Sequence, residues 1–424
     1  MNSIKISPAA LSGTISVPPS KSAAHRAIIC ASLAKGVSVI SPVELSNDIS
    51  ATIECMKGLG TKITLAGKTL TIDGSGTFAE NSAMLDCGES GSTLRFLIPV
   101  AAAGGRSVSF TGHGRLPQRP IGVYTDELPL HGTKCFTTEG GLPLTISGRL
   151  QSGAFEVCGD ISSQFITGYL LALPLLEGES EIILTTPLQS AGYVDMTIDT
   201  MRAFGVRVEK TGRGWRIPGG QAYKARSFTV EGDWSQAAFF ITAAALSGEI
   251  TIDNLDISSF QGDKECVEIY SRLGADISFD EKGRLTVKRS DLQGIEINAE
   301  NIPDMVPALS VAAALSSGTT VIKGAARLRI KECDRLAAIT EGLTRLGADI
   351  RETEDGLIIN GVDTLHGGSV EGRNDHRIVM SLAVASARCS GDIVISDMES
   401  INKSYPSFFE DMKKLGGKTN VIMG

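Results

Sequence analysis

Little in this chain suits a metal ion, a membrane or a nucleic acid. Its eight cysteines are scattered without a Cys-x-x-Cys pair, and its five histidines lack metal-ligand spacing. Neither a disulfide framework nor a zinc site is indicated. Aromatic residues make up only 5% of the chain, and the net charge of −8 disfavours a polyanionic partner such as nucleic acid or an anionic membrane. Apolar runs such as Ala308 to Leu315 are too short to span a bilayer. The chain opens Met1-Asn2-Ser3-Ile4-Lys5 without an apolar signal core, so a reducing cytoplasm is the expected compartment.

What the chain does have is a repeat. Six times a short polar motif opens an apolar helix that runs toward glycine, at intervals of roughly 70 residues. The openings are Ser20-Lys21-Ser22, Glu89-Ser90-Gly91-Ser92, Ser162-Ser163-Gln164, Asp233-Trp234-Ser235, Pro303-Asp304 and Asp375-His376-Arg377. The helices are expected to end at Gly36, Gly104, Gly178, Gly248, Gly318 and Gly391, and they are apolar almost all round, the mark of helices buried on every side. A second, amphipathic helix follows in each repeat and stops at Gly60, Gly132, Gly205, Gly274, Gly347 or Gly416.

Paired strands come next, as in Lys62 to Leu65 turning to Thr69 to Ile72. One repeat therefore reads βαβαββ, in an α/β chain. The sixth copy is short, ending with a strand over Thr419 to Met423, and Ile4 to Ile6 and Ile15 to Val17 are expected to complete it and close the array into a ring. Six units pack as two groups of three: residues 18–228, and residues 1–17 with 229–424. The crossings fall at Gly219 to Ser227 and at Pro18-Pro19, short enough to act as hinges.

The basic residues concentrate at these openings. Lys21, Arg26, Arg95, Arg119, the run Arg327 to Arg335, Arg377 and Lys403 lie at or beside helix starts, where unpaired N–H groups and the helix dipole already favour negative charge. A small molecule carrying several negative charges would fit a centre shared by such openings, with two domains supplying a closable cleft. Each motif has a plainer reading too. Ser and Asp at helix starts are caps, His25 is a packing or solvated residue, and Asp233-Trp234-Ser235 lacks a cation and reads as structural. Arg329 to Arg335 fits either a solvated helix face with i,i+4 pairs or one that aligns Lys331 with Arg335.

Taken together and in order, Pro19-Ser20-Lys21-Ser22 with Arg26, Glu89 to Arg95, Gln118-Arg119-Pro120-Ile121, Ser162-Ser163-Gln164, Lys331-Glu332-Cys333-Asp334-Arg335 and Asn374-Asp375-His376-Arg377 resemble the 5-enolpyruvylshikimate-3-phosphate synthase family. The resemblance covers nearly the whole chain. It implies an inverted α/β barrel architecture of two domains, each of three βαβαββ repeats with buried helices, and an active site in the cleft between them. The implied reaction moves the enolpyruvyl group of phosphoenolpyruvate to the 5-hydroxyl of shikimate 3-phosphate, with release of phosphate.

By similarity, Lys21, Ser22, Arg26, Ser162, Ser163, Gln164, Ser190, Tyr193, Asp304 and Lys331 hold shikimate 3-phosphate. Lys21, Gly91, Gln164, Arg119, Arg335, Arg377 and Lys403 hold phosphoenolpyruvate, whose carboxylate and phosphate suit the bidentate fork of arginine. In this family the glycine at position 91 also bears on sensitivity to the herbicide glyphosate. The chemistry needs at least two acid–base groups. Asp304 is the candidate base near the 5-hydroxyl, and Glu332 the candidate shuttle for the proton on the substrate carbon, assisted by Lys21. No metal or organic cofactor is expected, the partners are small anionic substrates, and a monomer is expected. Glu89-Ser90-Gly91-Ser92 departs from the usual Asn-Ala-Gly-Thr, and Arg327 stands where Asn is common.

Two rival readings are weaker. The sister transferase acting on UDP-N-acetylglucosamine carries a reactive Cys in the loop before its Arg-Pro, and Thr111 to Arg119 has none. A non-catalytic polyanion-binding scaffold leaves the carboxylates Asp304 and Glu332 unexplained.

Overall fold

The computed structural model describes residues 2–79 and 82–423. The chain forms two compact units, Pro19–Val230 (the middle unit) and Met1–Pro18 with Glu231–Gly424 (the terminal unit). Among the described residues, twelve α-helices alternate between buried and amphipathic. In the middle unit they are α1 (Lys21–Leu33), α2 (Asn47–Gly58), α3 (Gly91–Gly104), α4 (Gly122–Glu127), α5 (Ser163–Ala172) and α6 (Ala191–Ala203). In the terminal unit they are α7 (Trp234–Ser247), α8 (Cys266–Arg272), α9 (Val306–Ala314), α10 (Arg335–Arg345), α11 (His376–Ala385) and α12 (Phe408–Lys414).

The odd-numbered helices are the apolar ones, and they form the cores. Every residue of α9 is buried, as is all of α7 except Ser247. Burial of Ile, Leu, Val and Phe on all faces of these helices is the dominant stabilisation, at roughly 25 cal/mol per Å² of apolar surface. Capping starts most of them: Ser20, Ser90, Ser162, Asp233 and Asp375 each accept a backbone N–H from the first turn. At the far ends of the second helices, Gly60, Gly132, Gly205, Gly274, Gly347 and Gly416 all have φ between +82° and +100°, the left-handed conformation that glycine adopts without a Cβ penalty.

The first set of glycines meets the expectation in part: α3 ends at Gly104 and α7 runs up to Gly248, whereas other helices stop short. α1 stops at Leu33 and α5 at Ala172, the latter tightening into a 3₁₀ turn over Leu173–Leu175 before Gly178. Gly248 is extended, at φ −169°, and its need for glycine is steric: a Cβ there would overlap the Leu11 carbonyl.

Among the described residues the strands form six four-stranded sheets. In one of the three sheets of the middle unit, Ser82–Asp86 runs parallel to Ser107–Thr111, which pairs antiparallel with Gly141–Gly148, itself antiparallel to Thr133–Thr138. The N-terminal strands correct the expectation that both complete the sixth repeat. Ser3–Ser7 does so, pairing antiparallel with Ile393–Ile395 and Lys418–Ile422. Ser12–Ser16 instead lies parallel to Glu249–Asp253 in the fourth sheet. Reciprocally, Ser227–Thr229, the end of the expected linker, is a strand parallel to Val39–Ser41 in the first sheet. Strand pairing therefore closes within each unit of three repeats, not around one ring of six. Each crossing of the chain hands its strand to the unit that it is leaving.

Helices α3 and α5 approach closely because Gly168 lacks a side chain. The Tyr124 hydroxyl lies 2.7 Å from the Arg95 carbonyl and 3.0 Å from that of Phe165. A Cβ on Gly168 would overlap the Tyr124 hydroxyl and the Arg95 carbonyl. Gly168→Ala is expected to destabilise the middle unit by about 3 kcal/mol, read as a fall in the urea midpoint.

Candidate active site

In the middle unit the expected residues gather at the starts of α1, α3 and α5. Lys21, the first residue of α1, places its ammonium 2.7 Å from Asp48 Oδ2 near the start of α2. One helical turn on, His25 Nδ1 lies 2.7 Å from the Thr52 hydroxyl, which lies 2.7 Å from that of Thr93. Thr93 donates onward to Ser90 Oγ at 2.8 Å. This buried chain ties α1 and α2 to the cap of α3. His25 is wholly buried and edge-on to Phe96, so it is a packing residue; burial first, then Lys21 and Arg26, hold its pKa well below the ordinary value.

Arg26 is also buried. It donates to the Ser22 carbonyl at 2.7 Å, Thr197 at 2.7 Å, the Tyr193 carbonyl at 2.9 Å and Thr167 at 3.4 Å. Burial lowers its pKa to about 10, which leaves it charged at neutral pH. The guanidinium thus ties α1 to α5 and α6 and brings Ser22 and Tyr193 together. Ser190, at the start of α6, is buried with φ +57°. Ser162 caps α5 through the Gln164 N–H, and buried Ser163 follows it. Gln164 accepts from Arg95 at 2.7 Å and donates to Ser92 at 2.9 Å, linking the third opening to the second.

Gly91 begins α3 against Arg119. A Cβ there would stand 2.7 Å from Arg119 Nη1 and 2.8 Å from Cζ, so any side chain pushes the guanidinium aside. Gly91→Ala is expected to displace the Arg119 guanidinium and weaken binding of a small phosphate or carboxylate anion at this opening about tenfold, read by isothermal titration calorimetry. Glu89 lies 3.7 Å from His113.

The terminal unit gathers a denser charge cluster. Asp304, in a 3₁₀ turn (Pro303–Met305) that leads into α9, lies 2.9 Å from Arg335 Nη1, 3.1 Å from Arg377 Nη2 and 3.7 Å from Lys331 Nζ. Arg377 Nη1 also donates to the Asp304 carbonyl at 3.1 Å. Glu332 lies 2.8 Å from Arg335 Nη2, and Lys403 donates to the Asn374 carbonyl at 2.7 Å. Arg335 is 2% exposed and meets three carboxylates, the third being the fully buried Asp375.

Burial pushes the pKa of Asp304 up, but Arg377, Lys331 and Arg335 together outweigh it and hold the carboxyl well below its usual range. Burial likewise opposes the charge on Arg335, and Asp375, Glu332 and Asp304 overcome it. An unfolded Asp titrates near ~3.9, so the folded value of Asp304 is the lower one. Its contribution to stability is complete above about pH 5 and is lost as pH falls through the folded value. The urea midpoint of the unmodified chain should therefore fall further between about pH 5 and about pH 3 than that of Asp304→Asn.

The basic run is not one helix face. Arg327 and Arg329 lie in a 3₁₀ turn (Ala326–Ile330), and α10 begins only at Arg335 with Asp334 as its cap. Arg329 turns outward to Glu352 at 2.7 Å and Asp334 at 3.0 Å, and Arg327 donates to the Glu300 carbonyl. Lys331 and Arg335 converge on Asp304 through the loop between the turn and the helix.

Sequence reasoning missed Asp48 and left Asp375 without a role. The only hint of Asp48 is a helix start, Ser46-Asn47-Asp48, in the same repeat as Lys21. Among the described residues, no helix is long and apolar enough to cross a membrane, and no group of three His, Cys, Asp or Glu side chains is placed to hold a metal ion.

The family model for EPSP synthase (3-phosphoshikimate 1-carboxyvinyltransferase) matches residues 6–412. A 3-phosphoshikimate 1-carboxyvinyltransferase of Clostridium perfringens strain 13 is 49% identical over 419 residues, covering 98% of this chain and 99% of its own. That of Clostridium novyi is 47% identical, with 98% of each chain covered. The solved structure of an EPSP synthase from Acinetobacter baumannii superposes with a TM-score of 0.85 at 30% identity over the whole of both chains. With this match running through both units and all six openings, the chain belongs to the EPSP synthase family.

Proposed function

We propose that this chain transfers the enolpyruvyl group of phosphoenolpyruvate to the 5-hydroxyl of shikimate 3-phosphate, giving 5-enolpyruvylshikimate 3-phosphate and inorganic phosphate. The observation that carries the reading is the juxtaposition of two carboxylates, Asp304 and Glu332, with Lys331, Arg335 and Arg377. Cations recognise the anionic substrates, and ionisable carboxylates move protons between them. Both sets of openings serve the one reaction in this reading, on an inverted α/β architecture with buried helices.

Asp304 accepts the proton of the 5-hydroxyl as its oxygen bonds to C2 of phosphoenolpyruvate, while Glu332 delivers a proton to the methylene carbon. The product of this step is a tetrahedral intermediate. Glu332 then takes a proton back from the methyl carbon as the C–O bond to phosphate breaks, and phosphate leaves with the proton that Asp304 had accepted, which returns both carboxyl groups to their starting states. Lys21, Arg119, Arg335, Arg377 and Lys403 hold the phosphoenolpyruvate carboxylate and phosphate, with Gly91 giving room for close approach. Ser22, Arg26, Ser162, Ser163, Gln164, Ser190, Tyr193 and Lys331 hold shikimate 3-phosphate, Gln164 touching both ligands. These residues supply the charge compensation themselves, and the enzyme works as a cytoplasmic monomer.

Phosphate release from phosphoenolpyruvate, with shikimate 3-phosphate and with UDP-N-acetylglucosamine as alternative acceptors, tests the reading. Release with shikimate 3-phosphate alone is expected. Release with the nucleotide sugar, or with neither acceptor, overturns it.

A further inference from the structure

The Arg335 guanidinium has five N–H donors, and carboxylates take four of them. Nε and one Nη2 hydrogen meet Asp375, at 2.7 Å to Oδ2 and 3.3 Å to Oδ1, as a bidentate pair along one edge of the fork. Nη1 meets Asp304 at 2.9 Å, and Nη2 also meets Glu332 at 2.8 Å. The three partners are not alike. Asp304 and Glu332 are 18% and 17% exposed, so an anion arriving from solvent can compete with them, whereas Asp375 has no exposure at all.

Asp375 is itself held on every side. Oδ1 accepts the Arg377 backbone N–H at 2.8 Å, Oδ2 accepts the Cys333 thiol at 3.6 Å, and its own N–H donates to the Gly372 carbonyl at 3.0 Å. Capping α11 does not by itself call for a carboxylate. Ser20, Ser90 and Ser162 do the same work with one hydroxyl. The second oxygen and the charge at position 375 are what the cap leaves unexplained, and both face Arg335.

We propose that Asp375 is a positioning residue for phosphoenolpyruvate binding: a permanent buried clamp that fixes the plane of Arg335 while Asp304 and Glu332 give up its outer N–H groups to the substrate. With Nε locked, the guanidinium can rotate neither away from the incoming anion nor into solvent. With Asp304 released, that carboxylate is available to the acceptor hydroxyl. The inference rests on the assignment of Arg335 to phosphoenolpyruvate.

A double-mutant cycle on the full-length chain tests it, using Asp375→Asn, Arg335→Lys and the pair. Asn keeps an oxygen for the cap but loses the charge, and Lys keeps the charge but loses the fork. Asp375→Asn is expected to raise the KM for phosphoenolpyruvate about 30-fold, to leave that for shikimate 3-phosphate within about threefold, and to add less than about threefold in the Arg335→Lys background. A role in folding alone predicts additive effects in the cycle and equal effects on the two substrates, and either result overturns the proposal. If Arg335→Lys raises the KM and Asp375→Asn does not, the clamp is overturned and the assignment of Arg335 stands. If Arg335→Lys changes nothing, the assignment falls and the proposal with it. Should Asp375→Asn not fold, Asp375→Glu, which displaces the charge by one methylene, must give the same substrate-selective rise or the proposal fails.

Discussion

Replacing Asp304 by alanine is expected to lower kcat about 10²–10⁴-fold, the range for losing a general base, while the KM for phosphoenolpyruvate does not rise. The two halves of this expectation have one origin. Asp304 pairs with Arg335 Nη1 and Arg377 Nη2, the donors proposed to hold phosphoenolpyruvate. Removing it deletes a competitor for the substrate together with the group proposed to take the hydroxyl proton. The KM for shikimate 3-phosphate should rise modestly, since a hydrogen-bond acceptor for the hydroxyl is lost. A variant that loses binding of both substrates as strongly as turnover would recast Asp304 as a binding residue. Asp304→Asn separates charge from shape: turnover should fall as in the alanine variant, because an amide cannot accept the proton.

The depressed pKa of Asp304 gives this prediction its sense. Surrounded by Arg377, Lys331 and Arg335, the carboxyl is ionised over the whole physiological range, which is the state a base requires, but its affinity for a proton is poor. Anionic substrates that neutralise those cations would restore some of that affinity at the moment it is needed. Binding and activation of the base are then two aspects of one exchange of partners.

How far the sequence carried depends on the distance over which each feature is specified. Helix starts and turn glycines are local. Ser20, Ser90, Ser162 and Asp375 are caps as their residue types imply, and the six glycines after the second helices take the left-handed conformation that their spacing suggested. The apolar faces of α7 and α9 likewise declare their burial. Strand partners are less local, and there the reading slipped. Ile15 to Val17 reads as part of the sixth repeat and Ser227 as the end of a linker, yet Ser12–Ser16 pairs with Glu249–Asp253 and Ser227–Thr229 with Val39–Ser41. A strand pattern says that a segment will pair but not with whom.

The site shows the same division. That cations and carboxylates gather at helix openings is written in the motifs, but which charge meets which is not. Asp48 is 27 residues from Lys21, Asp304 is 31 from Arg335, and Asp375 is 40 from Arg335. An i,i+4 rule reads Lys331 and Arg335 as helical neighbours. The chain brings them together by ending a 3₁₀ turn at Ile330 and starting a helix at Arg335, so the two side chains converge on Asp304 from opposite ends of the loop between.

The Lys21–Asp48 pair leads to the second large effect. Lys21→Met should lower kcat/KM for phosphoenolpyruvate about 10²–10³-fold, the loss typical of one donor aimed at developing negative charge. Lost attraction is only part of that penalty. Lys21→Met also strips Asp48, 12% exposed and 2.7 Å from the ammonium, of its Lys21 partner beside an opening proposed to admit an anion. Asp48→Asn removes the carboxylate while preserving the side-chain shape. The double variant should therefore recover about tenfold of the loss caused by Lys21→Met. Asp48→Asn alone should cost activity, because it frees Lys21 from the partner that orients it. A double variant as impaired as the product of the two single losses would show that Asp48 acts on the substrate site independently of Lys21, and would exclude repulsion as the source of the penalty.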